Sequence, residues 1–137
     1  MRYFVAIDTN VLVSALLNDR STPGNLLRKV AEETIIPLYN DEILEEYEDV
    51  LHRAKFSFSA EKTDVMLRNI QQLGIKIDAD RMDFELSNPD DVVFYAVVME
   101  KRKESDAYLV TGDSKHFPKE PFIVTPREML DIIEHQT

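Results

Sequence analysis

Tyr3-Phe4-Val5-Ala6-Ile7 is a short, almost unbroken apolar run that passes directly into Asp8-Thr9-Asn10 and then into the aliphatic stretch 11–17. A run without polar alternation suits a strand buried on both faces, and such strands belong to parallel sheets covered by helices on each side. Asp8, Thr9 and Asn10 all carry side-chain oxygens that can meet the free amides of a helix start. The segment therefore predicts a strand feeding a helix through one tight joint, with a carboxylate at that joint. In an open α/β sheet, ligands bind beyond the carboxyl ends of the strands, which is where Asp8 falls. The competing reading of Asp8 is a helix cap.

The same alternation continues. Thr22-Pro23 offers a cap and first-turn pair for a helix over 22–33, and 35–39 reads as a strand whose Pro37 is best tolerated near a sheet edge. Asn40 caps a helix running to about Lys55, with Ile43, Leu44, Tyr47, Val50, Leu51 and Ala54 as its apolar stripe. At 3.6 residues per turn, Glu46 and Glu48 fall on the two margins of that stripe, while Glu42, Glu45 and Asp49 point further outward. Ser59 opens a helix through Leu73 with Val65, Met66, Ile70 and Leu73 inward, and Gly74 closes it as a C′ residue. Residues 75–77 form a third strand candidate, and 78–88 are polar and irregular. The segment 92–99 is apolar almost all round and predicts a helix buried on the sheet. Strands over 107–111 and 122–125 and a last helix from Pro126 complete the chain. The expected fold is a single domain over 1–137, a three-layer α/β/α sandwich around a central, mainly parallel five-stranded sheet.

Lys+Arg 16 against Asp+Glu 26 gives a net charge of −10, which argues against a broad basic footprint on nucleic acid. The absence of cysteine removes disulfides and thiolate metal sites. No stretch reads as a signal peptide or a membrane span, so a soluble cytoplasmic protein is the expectation.

Asp8 and Asp113 share an address: each is the first acid beyond the carboxyl end of an apolar strand. Asp90 and Asp91 stand at the amino end of the buried helix, which βα geometry brings to the same sheet edge, and Glu46 or Glu48 can complete the group. Carboxylates so placed raise one another's pKa, and a hard divalent cation such as Mg2+ removes the conflict. Taken singly, each has a plain structural role: one of Asp90 and Asp91 as a cap, Asp113 after Gly112 as a turn residue. Thr111 and Asn10 read as groups that orient the acids by hydrogen bonding. His52, His116 and His135 lie at scattered polar positions and read as surface residues.

These residues resemble the PIN domain family, and within it the VapC-like toxin branch. The matching pieces are Asp8-Thr9-Asn10-Val11 with Ser14-Ala15-Leu16, Glu46-Tyr47 with Val50-Leu51 and Arg53, Pro89-Asp90-Asp91 leading to Phe94 and Ala96, and Tyr108-Leu109-Val110-Thr111-Gly112-Asp113. The resemblance implies a metal-dependent ribonuclease using Mg2+ or Mn2+, usually a homodimer, often neutralised by a small antitoxin protein. By position it implies Asp8, Glu46, Asp91 and Asp113 as the acidic quartet, with Asn10 and Thr111 as polar neighbours, and it is what selects Glu46 over Glu48 and Asp91 over Asp90. The long stretch before Asp91 and Ser114-Lys115-His116 after the last acid depart from many relatives. Arg53, Lys55 and Lys115 are the cations expected near the acidic edge to meet RNA phosphates. Two other readings compete: a catalytically silent binding module that docks a basic peptide, and a phosphoacceptor receiver-like domain. The latter wants an acidic pair after the first strand and a lysine after the fifth, where this chain has Asp8 alone and Pro126.

Overall fold

The computed structural model describes residues 1–79 and 89–135, less the side chains of Ala54, Pro89 and Asp90. The irregular stretch expected over 78–88 lies, from residue 80 on, outside the described residues, as does the side chain of Asp90. The elements alternate as β1 (Tyr3–Ile7), α1 (Thr9–Leu17), α2 (Thr22–Ala31), β2 (Ile35–Tyr39), α3 (Asp41–Leu51), α4 (Ala60–Leu73), β3 (Ile75–Lys76), α5 (Pro89–Lys101), β4 (Ala107–Val110), β5 (Ile123–Val124) and α6 (Pro126–His135). Short 3-10 turns occupy Ala54–Phe56 and Ser114–His116.

The five strands form one all-parallel sheet in the order β3-β2-β1-β4-β5. Successive strand residues point to opposite faces, and Val5, Ala6 and Ile7 are all buried, so β1 is covered on both sides. Helix α5 lies across β1, β2 and β4 with α3 against it, while α2 packs on β2 and touches α1 and α6. The α/β/α sandwich expected from the sequence is the fold of the described chain.

Four local expectations give way. Strand β2 is interior, with Pro37 opposite Val5. Its proline is accommodated because β3 pairs only from Leu38 onward, and Pro37 turns its carbonyl toward Gly74 at the α4–β3 joint. Gly74 is extended, at φ −93 and ψ −178, and is not a left-handed C′ residue. Glycine is required there for space, since a Cβ would stand 2.4 Å from the Ile70 carbonyl oxygen and 2.5 Å from that of Pro37. Helix α3 stops at Leu51 and does not run to Lys55. In α4 the buried positions are Thr63, Leu67 and Ile70, with Met66 and Leu73 beside them, so Val65 falls off the stripe and is 44% exposed.

Capping follows local chemistry. Asn40 and Ser59 cap α3 and α4 by accepting from the amides of Ile43 and Lys62. Ser21 performs this role for α2, one residue before the expected Thr22, accepting from Gly24. No described helix is long and apolar enough to cross a membrane.

Candidate active site

The chain leaves β1 toward β2 on one side and returns to β4 on the other, which makes the β1/β4 seam the switch point where an open α/β sheet forms a crevice. Ile7 pairs with Val110, and the Asp8 amide donates to the Val110 carbonyl at 2.9 Å, so Asp8 and Thr111 leave the sheet side by side. The side chain of Asp8 accepts from the Thr9 amide but makes none of the bonds further into α1 by which a capping residue serves a helix. It also accepts from Thr111, whose Oγ1 lies 2.8 Å from Asp8 Oδ2. The same oxygen accepts the Asp113 amide at 3.1 Å, so one buried hydroxyl ties the two strand-end acids together. The helix-cap reading of Asp8 is thereby replaced.

Glu46 is brought in by its neighbour. Tyr47, buried in the core, donates its hydroxyl hydrogen to the Ile7 carbonyl and clamps α3 over the end of β1. That rotation leaves Glu48 exposed and turns Glu46 toward the seam, where it accepts from Thr9 Oγ1. Burial first, then the charges of Asp8 and Glu46, push the Tyr47 phenol well above its ordinary range, so it remains a donor.

Asp91 stands in the first turn of α5 and is buried. His116 lies between it and Asp113, with Nε2 3.2 Å from Asp113 Oδ2 and Nδ1 3.9 Å from Asp91 Oδ2. His116 is exposed, as expected of a surface residue, and its ring also reaches the acidic group. A signal for it existed in the spacing: residues i and i+3 eclipse one another in a 3-10 turn, and Ser114–His116 is such a turn following Asp113.

Asp8, Thr9, Asn10, Glu46, Asp49, Val50, Arg53 and Asp91 line one polar cleft of about 380 Å3. Asp113 joins from the margin through Thr111 and His116. Asn10 is exposed on the rim. Asp49, expected to point outward, shares the wall with Arg53, its ion-pair partner at 3.2 Å. Lys55 does not line the cleft; its ammonium rests 5.1 Å from the centre of the Phe56 ring. Lys115 lines a separate hollow of about 560 Å3 with Lys119. A larger hollow of about 630 Å3 against α1, α2 and α4 contains none of the four acids.

Burial raises the Asp8 carboxyl above its ordinary pKa, opposed by the hydrogen bonds from Thr111 and the Thr9 amide and by His116, and reinforced by the Asp113 charge. Among the described residues no three acidic or imidazole groups are already drawn close enough to hold an ion. The donor set nonetheless suits a hard cation: four carboxylates, Asp8, Glu46, Asp49 and Asp91, line one polar cleft, Asp49 being paired with Arg53, and Mg2+ retains several waters that span what the protein leaves open.

No curated protein matches the chain. A family model described as PIN domain matches residues 5–115, a span that takes in Asp8, Glu46, Asp91 and Asp113. PIN domains are in general nucleases that use divalent metals. With this match over most of its length, on a parallel α/β/α sandwich with acids at the β1/β4 seam, the chain belongs to the PIN domain family.

Proposed function

We propose that the cleft is the active site of a divalent-metal-dependent endoribonuclease that hydrolyses RNA phosphodiester bonds, and that the protein is the toxin of a toxin–antitoxin pair. The observation that carries this reading is the meeting of Asp8, Glu46 and Asp91 on one polar cleft, with Asp113 bound to Asp8 through Thr111. Asp8, Glu46, Asp91 and Asp113 would hold Mg2+ or Mn2+, which when bound supplies a water nucleophilic near neutral pH and positive charge opposite the phosphoryl oxygens. Thr111 and Thr9 fix the carboxylates of Asp8 and Glu46 in direction, a role in which outer hydrogen bonds matter nearly as much as the ligands. One of the acids also takes a proton from the attacking water. Asn10, on the rim, is the further polar neighbour that orients the acids.

Arg53 at the cleft, with Lys55 and Lys115 flanking it, contacts RNA phosphates; a chain of net charge −10 can hold a strand by only a few such contacts. Reversing all three charges should weaken RNA binding and cleavage, and unchanged binding would remove them from the interface. The toxin role, the homodimer, the small antitoxin partner and a cytoplasmic location are supported by the likeness of the ordered motifs to VapC-like proteins. The direct test incubates purified protein with labelled RNA, with Mn2+ and with EDTA. Mn2+-dependent cleavage is expected, and no cleavage under any metal condition would sink the enzyme reading.

One observation favours a second reading, a silent module that docks a basic peptide: His116 already sits between Asp91 and Asp113 as their internal partner. Melting curves discriminate. A ligand of the native state adds RT ln(1 + [L]/Kd), about 2.7 kcal/mol at one hundred times Kd. An upward shift with Mn2+ supports the enzyme; indifference to Mn2+ supports the module.

A further inference from the structure

Between Arg53 and Ser59 the chain carries two cations, two phenylalanines and no acid, although acids outnumber bases overall. Phe56 and Phe58 lie nearly parallel, with ring centres 5.2 Å apart and planes 7° from one another. Both are partly buried and lean on the core, leaving part of each residue at the surface. Ser57 between them is left-handed, at φ 52, a conformation uncommon for a residue other than glycine, and this kink lets rings two residues apart come into stacking register. The Lys55 ammonium lies against Phe56. The whole turn hangs from the cleft wall, because the Phe56 amide donates to the Arg53 carbonyl at 3.1 Å and Arg53 lines the cleft.

We infer that the Phe56–Phe58 pair forms a stacking platform, presented by Phe58, for an unpaired nucleobase of the strand whose phosphodiester enters the acidic cleft. The inference rests on the ribonuclease reading and adds to it a base-binding site. Every base has a π face, so stacking of this kind tolerates sequence and is denied to bases paired within a duplex. Lys55, whose ammonium lies over the Phe56 ring, leaves the base to Phe58 and meets the phosphate flanking it, and Arg53 meets the next one toward the cleft.

The chain has no tryptophan, so Phe58→Trp installs a single fluorescent reporter in the platform. The probe is a short 2′-O-methyl oligoribonucleotide that resists cleavage, compared with an abasic oligomer of equal charge and with the same sequence annealed as duplex. Binding is followed by anisotropy of a label on the oligomer, with Mn2+ present. The base-bearing single strand should quench the tryptophan, the abasic strand and duplex should not, and Phe58→Leu, which keeps the apolar packing, should weaken single-strand binding at least about 5-fold. Binding without quenching, equal quenching by duplex, full affinity in Phe58→Leu, or no binding at all would overturn the platform. Failure of the ribonuclease reading appears elsewhere, as absence of Mn2+-dependent cleavage by the parent protein.

Discussion

Thr111 donates its hydroxyl hydrogen to Asp8 across the β1/β4 seam, joining two residues 103 positions apart in the chain at 2.8 Å. Because Thr111 has no exposed surface, the bond is shielded from water, and its oxygen is also the acceptor for the Asp113 amide. One hydroxyl thus directs the Asp8 carboxylate and holds the main chain of Asp113 beside it.

Thr111→Val removes that donor and acceptor while keeping the side-chain shape. The Asp8 carboxyl, losing a bond that favours its charged form, should titrate higher still, and Mn2+ affinity should fall about 10-fold or more, as when other hydrogen bonds to metal ligands are lost. Carboxyl NMR titration and calorimetry measure the two effects. Thr111→Ser should restore both; unchanged Mn2+ affinity in Thr111→Val would show that the bond does not serve the site.

Asp8 gives the metal-free protein a defined pH dependence. Its folded pKa is raised by burial, so the folded state binds more protons than the unfolded state between the ordinary carboxylate value and the raised one. Stability from this group is therefore present below that window and lost as pH rises through it. Asp8→Asn should melt above the parent at neutral pH without metal, with the gap closing as the medium is acidified below the ordinary carboxylate range. A gap that widens on acidification would contradict the raised pKa.

Tyr47→Phe keeps the ring and deletes the hydroxyl that reaches the Ile7 carbonyl. Loss of a buried hydrogen bond costs about 1–2 kcal/mol, or roughly 3–8 °C in melting temperature for a chain of this size. Cleavage should fall as well, since the bond sets how α3 turns Glu46 toward the seam. A melting temperature within one degree of the parent would deny the clamp.

Asp91→Asn and Asp90→Asn separate catalysis from capping, since asparagine caps about as well as aspartate. Asp91→Asn should leave metal-free stability close to the parent and lower Mn2+-dependent cleavage by orders of magnitude. Asp90→Asn should cleave normally. Full activity in Asp91→Asn would take it out of the site, and loss confined to Asp90→Asn would transfer the role to its neighbour.

The alternation of strands and helices, the parallel sheet and the strand-end addresses of Asp8 and Asp113 were legible in the sequence because each rests on local chemistry: unbroken apolar runs, helical periodicity and a polar residue where each run stops. The capping of α3 by Asn40 and of α4 by Ser59 could be read for the same reason, since the partner amide lies three residues away. What joins distant segments could not. Helical geometry left Glu46 and Glu48 on opposite margins, and only the bond from Tyr47 to Ile7 turns one toward the cleft and leaves the other in solvent. Asp49 came to the cleft wall by that same rotation, beside Arg53, a cation already expected near the acidic edge. Pro37 suggested an edge strand until the late start of β3 made room for it inside the sheet, and Gly74 resembled a left-handed cap until the Pro37 carbonyl proved to occupy the space of its missing Cβ. His116 acquired partners because the loop after β4 folds back over the start of α5. Local propensity decides which elements form and where they end. The rotation of a helix about its axis and the meeting of strand ends are decided by packing between residues remote in sequence, and the cleft is built from those.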